Sequence, residues 1–468
     1  MIPGWVHELV IYQIFPDRFF NGNPDNDPPN VQRWGAKPTL WEFQGGDLEG
    51  VIRKLDYLQS LGINAIYLNP IFHASSVHRY NTFDYYRIDP KLGTMDDFHR
   101  LLDEAHARSM YVILDGVFNH CGRGFFAFVD VLENQEYSAY KDWFHIHNFP
   151  LDACGEGQAK HYDAWWSFKS LPKFNTDNPD VRTYLWDVGE YWIRQGADGW
   201  RLDVPNEIDD DAFWKTFRDR VKRANPEAFL IGEIWTADPR WIGPDHFDSL
   251  MNYPFRTAVI DHLALGTLSP SAFMDTLENL YGLYTLEENI SHFLLLGSHD
   301  TERIRTVCDG RIDLVKLAQL IQFSYPGIPS IYYGDEIGLR GGKDPACRAG
   351  FPWDESIWDP SLQDHVRSLV QLRNTLPPLR YGAFKGIASD DSRGISAFAR
   401  LHEGSAALTA LNVSGKTQRA VLPMDRIGWT SRTPIGCYPT GVELIVSDGH
   451  ILVDLPPTSG VLIYQKDG

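Results

Sequence analysis

GWRLDV, residues 199–204, is the stretch whose reading decides how this chain folds. Gly199 punctuates one side and Pro205 the other, so the apolar run between them reads as a short buried strand. Side chains alternate along a strand, so Arg201 and Asp203 leave its end on the same side of the sheet. A cation beside a carboxylate favours the ionised form, which is what a carboxylate nucleophile needs. The same two residues can equally form a structural ion pair, and six residues do not choose between the two.

Strands and helices alternate on both sides of this stretch. Apolar strand runs lie at 7–15, 63–68, 111–118, 198–204, 228–235, 293–298 and 330–333, with a weaker one at 249–255. Helical spacing lies at 47–61, 95–110, 181–194, 213–222, 256–265, 314–323 and 362–376. Strict alternation means a parallel sheet with right-handed crossovers, and eight strands close into a (β/α)8 TIM barrel of the α/β class. A barrel unit takes roughly thirty residues. From Asp203 to Glu233 is 30 positions, and from Glu233 to Asp300 is 67, about two units. From Asp115 to Asp203 is 88 positions, so an inserted small domain is expected after the third strand. The expected organisation is a catalytic barrel over 1–120 and 176–382, an inserted domain at 121–175, and a C-terminal antiparallel β-sandwich over 383–468. The last rests on short runs at 395–400, 406–411, 442–446, 451–455 and 461–464, with turns at NVSG (412–415) and SDG (447–449).

Composition narrows the function. The chain has 468 residues, 43% of them hydrophobic, enough for a large core. A formal net charge of -19 argues against nucleic acid or an anionic membrane as partner, since either needs a basic face. Fifteen Trp and 21 Tyr are many for a core alone and suit a site that stacks sugar rings. Residues 1–14 lack a basic start followed by an apolar run, so no secretory signal is read there. Five scattered cysteines lack metal-ligand spacing and fit reduced thiols, hence a cytoplasmic protein.

Barrel enzymes carry their chemistry at the carboxyl ends of the strands. Those ends hold Asp115, Asn119 and His120; Arg201 and Asp203; Glu233; and His299 with Asp300. Several carboxylates converging on one pit meet the requirement of glycoside hydrolysis: one carboxyl attacks or stabilises the sugar cation and another protonates the leaving oxygen. Glu233, between Ile231-Gly232 and Ile234-Trp235, has the apolar surroundings that raise a carboxyl pKa.

DGVFNH (115–120), GWRLDVPNE (199–207), GEIW (232–235) and LLGSHDTER (295–303) resemble the four signature regions of the α-amylase superfamily of glycoside hydrolases. LPKFN (171–175), VPNE (204–207), IYYGDEIG (331–338) and DPACR (344–348) are similar to the cyclomaltodextrinase, neopullulanase and maltogenic amylase branch. The resemblance implies Asp203 as nucleophile, Glu233 as general acid and base, and Asp300 as transition-state stabiliser. It implies Arg201 orienting Asp203, His120 and His299 on sugar hydroxyls, and Tyr80 stacked on the reacting ring. Trp235 falls on the leaving side, while Asp344 and Arg348 hold the next sugar. Asp115 and Asn119 either brace the site or touch substrate. A retaining outcome places the nucleophile and acid carboxyls about 5–5.5 Å apart.

NGNPDND (21–27) and Gly45-Gly46-Asp47 offer alternating oxygen donors. By themselves they read as a polar turn or as a hard-cation site. The resemblance implies structural calcium (Ca2+) held by Asn21, Asn23, Asn26, Asp27, the Gly45 carbonyl and Asp47, with no organic cofactor. Asn23 stands where the branch usually has Asp, as does Asn81. The branch usually begins with an N-terminal β-sandwich that builds a dimer, whereas this sequence opens on the first barrel strand. The expectation is therefore a monomer, or a dimer built otherwise. The implied activity is hydrolysis of α-1,4-glucosidic bonds in maltooligosaccharides or cyclodextrins by double displacement, with transglycosylation as a side reaction. A general α-amylase, or an α-glucanotransferase acting on starch or linear maltodextrins, is the alternative. A non-catalytic sugar-binding barrel is the more distant one.

Overall fold

A computed structural model describes residues 2–155, 157–430 and 432–465. Eight parallel strands form the central sheet: β1 (Ile11–Ile14), β2 (Ala65–Leu68), β3 (Tyr111–Gly116), β4 (Gly199–Leu202), β5 (Phe229–Gly232), β6 (Ser249–Leu250), β7 (Phe293–Leu295) and β8 (Ile328–Tyr332). They neighbour one another in the order β6-β5-β4-β3-β2-β1-β8-β7. A parallel bridge from Met251 to Phe293 joins the two ends and closes the barrel. The expected fold class is the observed one.

Both faces of each strand are covered, which is why the sequence shows continuous apolar runs rather than alternation. On β2, Ala65 and Tyr67 join an inner cluster with Ile11, Ile113, Phe229, Ile231 and Phe293. Ile66 and Leu68 point the other way, into the cluster formed with the surrounding helices. The same alternation sends Trp200 and Leu202 outward, leaving Gly199 and Arg201 to the barrel interior. Gly199 is required there: a Cβ on it would lie 2.2 Å from the Phe229 carbonyl oxygen of β5.

Helices Met95–Ala107, Pro179–Arg194, Asp211–Ala224, Ile312–Ser324 and Pro360–Thr375 line the outside. Side chains of Thr94, Asn178, Asp210 and Asp359 cap four of them. The single helix expected at 47–61 is two, Leu48–Arg53 and Leu55–Ser60. The break falls at Lys54, whose ammonium sits over the rings of Phe20 and Trp353. The strand expected at 7–15 starts only at Ile11, because Ile11 is the first residue with partners on both sides, Ala65 and Ser330. A helix at Gly4–Glu8 of the tighter 3-10 type precedes it. Helix Pro270–Gly282, between β6 and β7, and a hairpin of Phe72–Ala74 with Thr82–Ile88 are additions to the sequence reading.

Between β3 and β4 the chain carries helix Phe126–Asn134 and a set of isolated bridges, among them His120 to Lys173 and Phe144 to Phe174. From Ala383 onward the strands are antiparallel, in a five-stranded and a three-stranded sheet. Their inner faces enclose Leu408, Leu422, Ile451 and Ile463. Phe384, Phe398, Leu411 and Leu462 instead join the cluster of the barrel helices. Among the described residues no helix is long and apolar enough to cross a membrane.

Candidate active site

Strand register sets Asp115 on β3 directly beside Arg201 on β4. Arg201 is fully buried and its Nη1 lies 2.8 Å from Asp115 Oδ1. The hydroxyls of Tyr67 and Tyr80 donate to the other oxygen of Asp115 at 2.6 and 2.7 Å. With both oxygens taken by protein donors, Asp115 braces Arg201. The same guanidinium reaches two more carboxylates, with Nη1 3.1 Å from Asp203 Oδ1 and Nη2 2.6 Å from Glu233 Oε1.

Asp203 follows β4 directly, and its N–H still donates to the Gly116 carbonyl at 3.0 Å. The next residue, Val204, turns the chain sharply into the left-handed region at φ 36°. That conformation is costly for a β-branched residue and recurs at functional sites. It aims the Val204 N–H at Glu233 Oε2, 3.0 Å away. The Trp235 indole N–H donates to Glu233 Oε1 at 3.3 Å, and its ring stacks on Tyr253 at 3.8 Å.

Tyr80 links this half of the pit to the other. Its hydroxyl lies 2.5 Å from His299 Nε2, and the two rings are parallel within 6°. Gln13 donates its amide N–H to His299 Nδ1 at 2.9 Å, which leaves the ring proton on Nε2, 3.0 Å from Asp300 Oδ2. Burial, with Arg348 and Arg201 nearby, holds His299 well below the usual histidine range, so the ring is neutral. Arg348 bridges Asp300 at 3.3 Å and Asp344 at 3.2 Å, and its Nε donates to the His299 carbonyl. Asn119 donates to the ring of His120 at 3.2 Å, and its own Oδ1 is buried with no protein partner.

One guanidinium thus faces three carboxylates, and Asp300 adds a fourth charge nearby. Burial pushes Glu233 up to about 7, with Arg201 opposing and Asp300 adding to the rise. Asp203 is raised as well, by burial and by its carboxylate neighbours, again against Arg201. So many buried carboxylates around one cation retain a proton at neutral pH.

The residues expected at the strand ends, together with Tyr80, Asp344 and Arg348, therefore have a place in or beside this network. Tyr67, Gln13, Asn69 and Tyr253 belong to it too and were missed. Asn69 donates to the Tyr80 hydroxyl at 3.1 Å and accepts from Gln13 at 3.0 Å. Tyr67 and Gln13 sit inside apolar strand runs, where only the register reveals which way they point.

The family described as alpha amylase, catalytic domain, matches residues 13–375. The chain belongs to the α-amylase family. This α-amylase-family chain is 42% identical over 465 residues to neopullulanase 2 from Thermoactinomyces vulgaris, covering 99% of this chain and 78% of that one. It is 42% identical over 463 residues to a cyclomaltodextrinase from Geobacillus thermopakistaniensis, covering 98% and 77%. Among solved structures, the cyclic α-maltosyl-(1→6)-maltose hydrolase from Arthrobacter globiformis superposes with a TM-score of 0.91 at 36% identity, covering 99% of this chain and all of that one. The chain is an α-amylase-family glycosidase, as its strand-end residues suggested.

A second cluster of oxygens lies in the loop before Leu48. Asn21 donates to the Asp27 carboxylate at 2.9 and 3.0 Å, leaving its own Oδ1 buried and unpartnered. Asn26 Oδ1 is likewise buried without a partner. Gly45, at φ 83°, packs so close that a Cβ would lie 2.3 Å from Asp27 Oδ1. Asp47 is engaged as a helix cap, accepting from Gly50 at 2.6 Å and from Asn23 at 2.8 Å. Asn23 spends its oxygen on the Asp25 N–H. Among the described residues no three His, Cys, Asp or Glu side chains gather as a metal site, so this cluster is mainly amide oxygen.

Proposed function

We propose that this glycosidase is a retaining hydrolase of α-1,4-glucosidic bonds in maltooligosaccharides and cyclodextrins, working by double displacement with transglycosylation as a side reaction. The observation that carries the reading is the sharing of Arg201 between Asp203 and Glu233, with Glu233 held near 7. In the proposed cycle Glu233, pushed up to about 7 by burial, is the group that carries the proton, and Asp203, the more exposed of the two with a side chain 11% exposed against 3%, acts as the ionised partner of Arg201. In the first step protonated Glu233 gives its proton to the glycosidic oxygen while an Asp203 oxygen bonds to the anomeric carbon. The leaving sugar departs and a glycosyl ester on Asp203 remains. In the second step ionised Glu233 takes a proton from water, whose oxygen attacks the anomeric carbon and frees Asp203. A sugar hydroxyl in place of water gives transglycosylation.

Asp300, fixed between His299 and Arg348, binds hydroxyls of the distorted sugar in this scheme. Asn119 Oδ1 and the ring of His120 are available to others. Tyr80 and Trp235 offer aromatic faces on the two sides of the bond. Asp344 and Arg348 extend the site by one sugar. The similarity to a hydrolase of cyclic α-maltosyl-(1→6)-maltose over nearly all of both chains supports cyclic substrates beside linear ones.

Structural calcium is part of the same reading. The unpartnered oxygens of Asn21 and Asn26, with Asp27 and the Gly45 carbonyl beside them, fit a hard cation. Asn23 and Asp47 complete the oxygen set. When bound, the ion ties the first loop to the barrel and takes no part in the bond cleavage. All five cysteines are free, which supports a reducing, cytoplasmic setting.

The test is an Asp203→Asn variant assayed on maltotriose and β-cyclodextrin. The expected outcome is a loss of at least about 10⁴-fold on both, since removal of a nucleophile carboxylate abolishes the covalent route. Undiminished hydrolysis by the variant sinks the assignment.

A further inference from the structure

Two loops deliver the groups on the Asp300 side of the pit. The loop after β7 carries His299 and Asp300, and the turn after β8 carries Asp344 and Arg348. Arg303, three positions after Asp300 and fully buried, joins them. Its guanidinium lies over the rings of Tyr332 and Tyr333, with Cζ 4.3 and 4.7 Å from their centroids. Nε donates to the Cys347 carbonyl at 2.9 Å. Nη1 donates to the Tyr333 carbonyl at 2.6 Å and to Asp335 Oδ1 at 2.8 Å. Nη2 is buried with no hydrogen-bond partner among the described residues. The backbone makes the same connection, since the Arg303 N–H donates to the Gly341 carbonyl at 3.0 Å.

From Cys347 the connection runs back to Asp300 in two ways. The Cys347 thiol and Arg348 Nε both donate to the His299 carbonyl, at 3.1 and 2.9 Å, and so fix the peptide that joins His299 to Asp300. Arg348 Nη2 meets the Asp300 carboxylate itself at 3.3 Å. Arg348 is in turn held on both sides. The Cys347 carbonyl before it accepts from Arg303 and, at 3.3 Å, from the Tyr332 hydroxyl. The Ala349 carbonyl after it accepts from the Tyr333 hydroxyl at 2.6 Å. A buried ion pair is often no more stabilising than apolar side chains of the same volume. What Arg303 adds over such packing is direction: its planar fork aims donors at three acceptors on one turn, which a lysine ammonium does not reproduce.

We infer that Arg303, clasped by Tyr332 and Tyr333, is a positioning residue for Asp300. It locks the turn after β8 against the loop after β7 and so sets the angle at which the Asp300 carboxylate meets the reacting sugar. It acts through Cys347 and Arg348 rather than by touching substrate. This rests on the proposed activity.

The experiment is a double-substitution cycle on kcat/KM for maltotriose, with Arg303→Lys and Asp300→Asn made singly and together. Arg303→Lys keeps the charge and loses the fork, and is expected to lower kcat/KM about 100-fold, mostly through kcat. In the Asp300→Asn background the same substitution is expected to cost less than about threefold, because the carboxylate it positions is already gone. A role in stability alone gives an equal factor in both backgrounds, and that result overturns the inference, as does an undiminished rate in Arg303→Lys. Should Arg303→Lys not fold, Tyr333→Phe removes only the hydroxyl bond to Ala349 and keeps the ring. A loss of about threefold that disappears in Asp300→Asn then supports the inference, and an equal loss or none overturns it. If the unsubstituted protein hydrolyses no maltotriose, the proposed activity alone fails, and the same cycle is read on maltotriose affinity by calorimetric titration. A loss of affinity in Arg303→Lys that vanishes beside Asp300→Asn supports the positioning role; losses that add, no loss, or no binding overturn it.

Discussion

Glu233 gives the clearest pH signature at the scale of single residues. Burial raises it from the ordinary 4.5 to about 7. A general acid must enter the reaction protonated, so kcat/KM is expected to fall as pH rises through about 7. The same shift has a stability sign. A raised carboxyl pKa favours the folded state below 4.5, and that advantage disappears as pH rises through about 7. Glu233→Gln, which carries no charge, is therefore expected to gain stability over the unsubstituted protein at pH 8 relative to pH 5, by up to about 3 kcal/mol. Urea unfolding at the two pH values measures it, and an identical difference at both contradicts the assignment of the raised pKa. The acids were legible in the sequence because each ends an apolar strand run. Tyr67 and Gln13 were not: an inward polar residue looks the same as an outward one until its strand neighbours are known.

At the scale of elements, β4 depends on the glycine that opens it. In Gly199→Ala the new methyl meets the Phe229 carbonyl at 2.2 Å, backbone that cannot rotate away. β4 and β5 must then separate, and they carry Asp203 and Glu233. We expect a loss of roughly 1–3 kcal/mol in stability. We also expect a fall in kcat larger than any rise in KM, because the two carboxyls lose their alignment. Gly282→Ala, where a Cβ meets nothing within 4 Å, serves as the neutral control. Equal thermal midpoints and rates in the two variants refute the reading. The barrel strands were readable because both of their faces are buried. Sandwich strands Ala383–Asp390, Gln418–Pro423 and Ile435–Tyr438 were missed, since each is partly exposed and interrupted by charge, glycine or proline. Ala383–Asp390 also carries a register shift between Gly386 and Ala388, which erases its period-2 pattern.

At the scale of the whole molecule, the calcium proposed for the loop before Leu48 is expected to change stability without changing chemistry. Calcium at 100 times its dissociation constant adds about 2.7 kcal/mol to the folded state. Chelation is expected to lower the thermal midpoint by a few degrees, and Asn21→Ala to remove the calcium-dependent part while leaving the chelated midpoint nearly where it was. A midpoint indifferent to calcium refutes the ion. No sequence pattern separates this loop from an ordinary polar turn. What distinguishes it is the burial of two amide oxygens with nothing to accept, visible only once the chain is folded.

The arrangement around Arg201 also fixes how charge is distributed over the proposed catalytic cycle. Before the first step Asp203, opposite Nη1, is negative and Glu233, opposite Nη2, is neutral. After it, the ester has neutralised Asp203 and the departed proton has left Glu233 negative. The negative charge has passed from one nitrogen of a single guanidinium to the other, and the sum over the pocket is unchanged. Residues further out feel nearly the same field in both halves of the turnover. A buried barrel mouth of this kind has no need to draw in or release counterions between its two chemical steps.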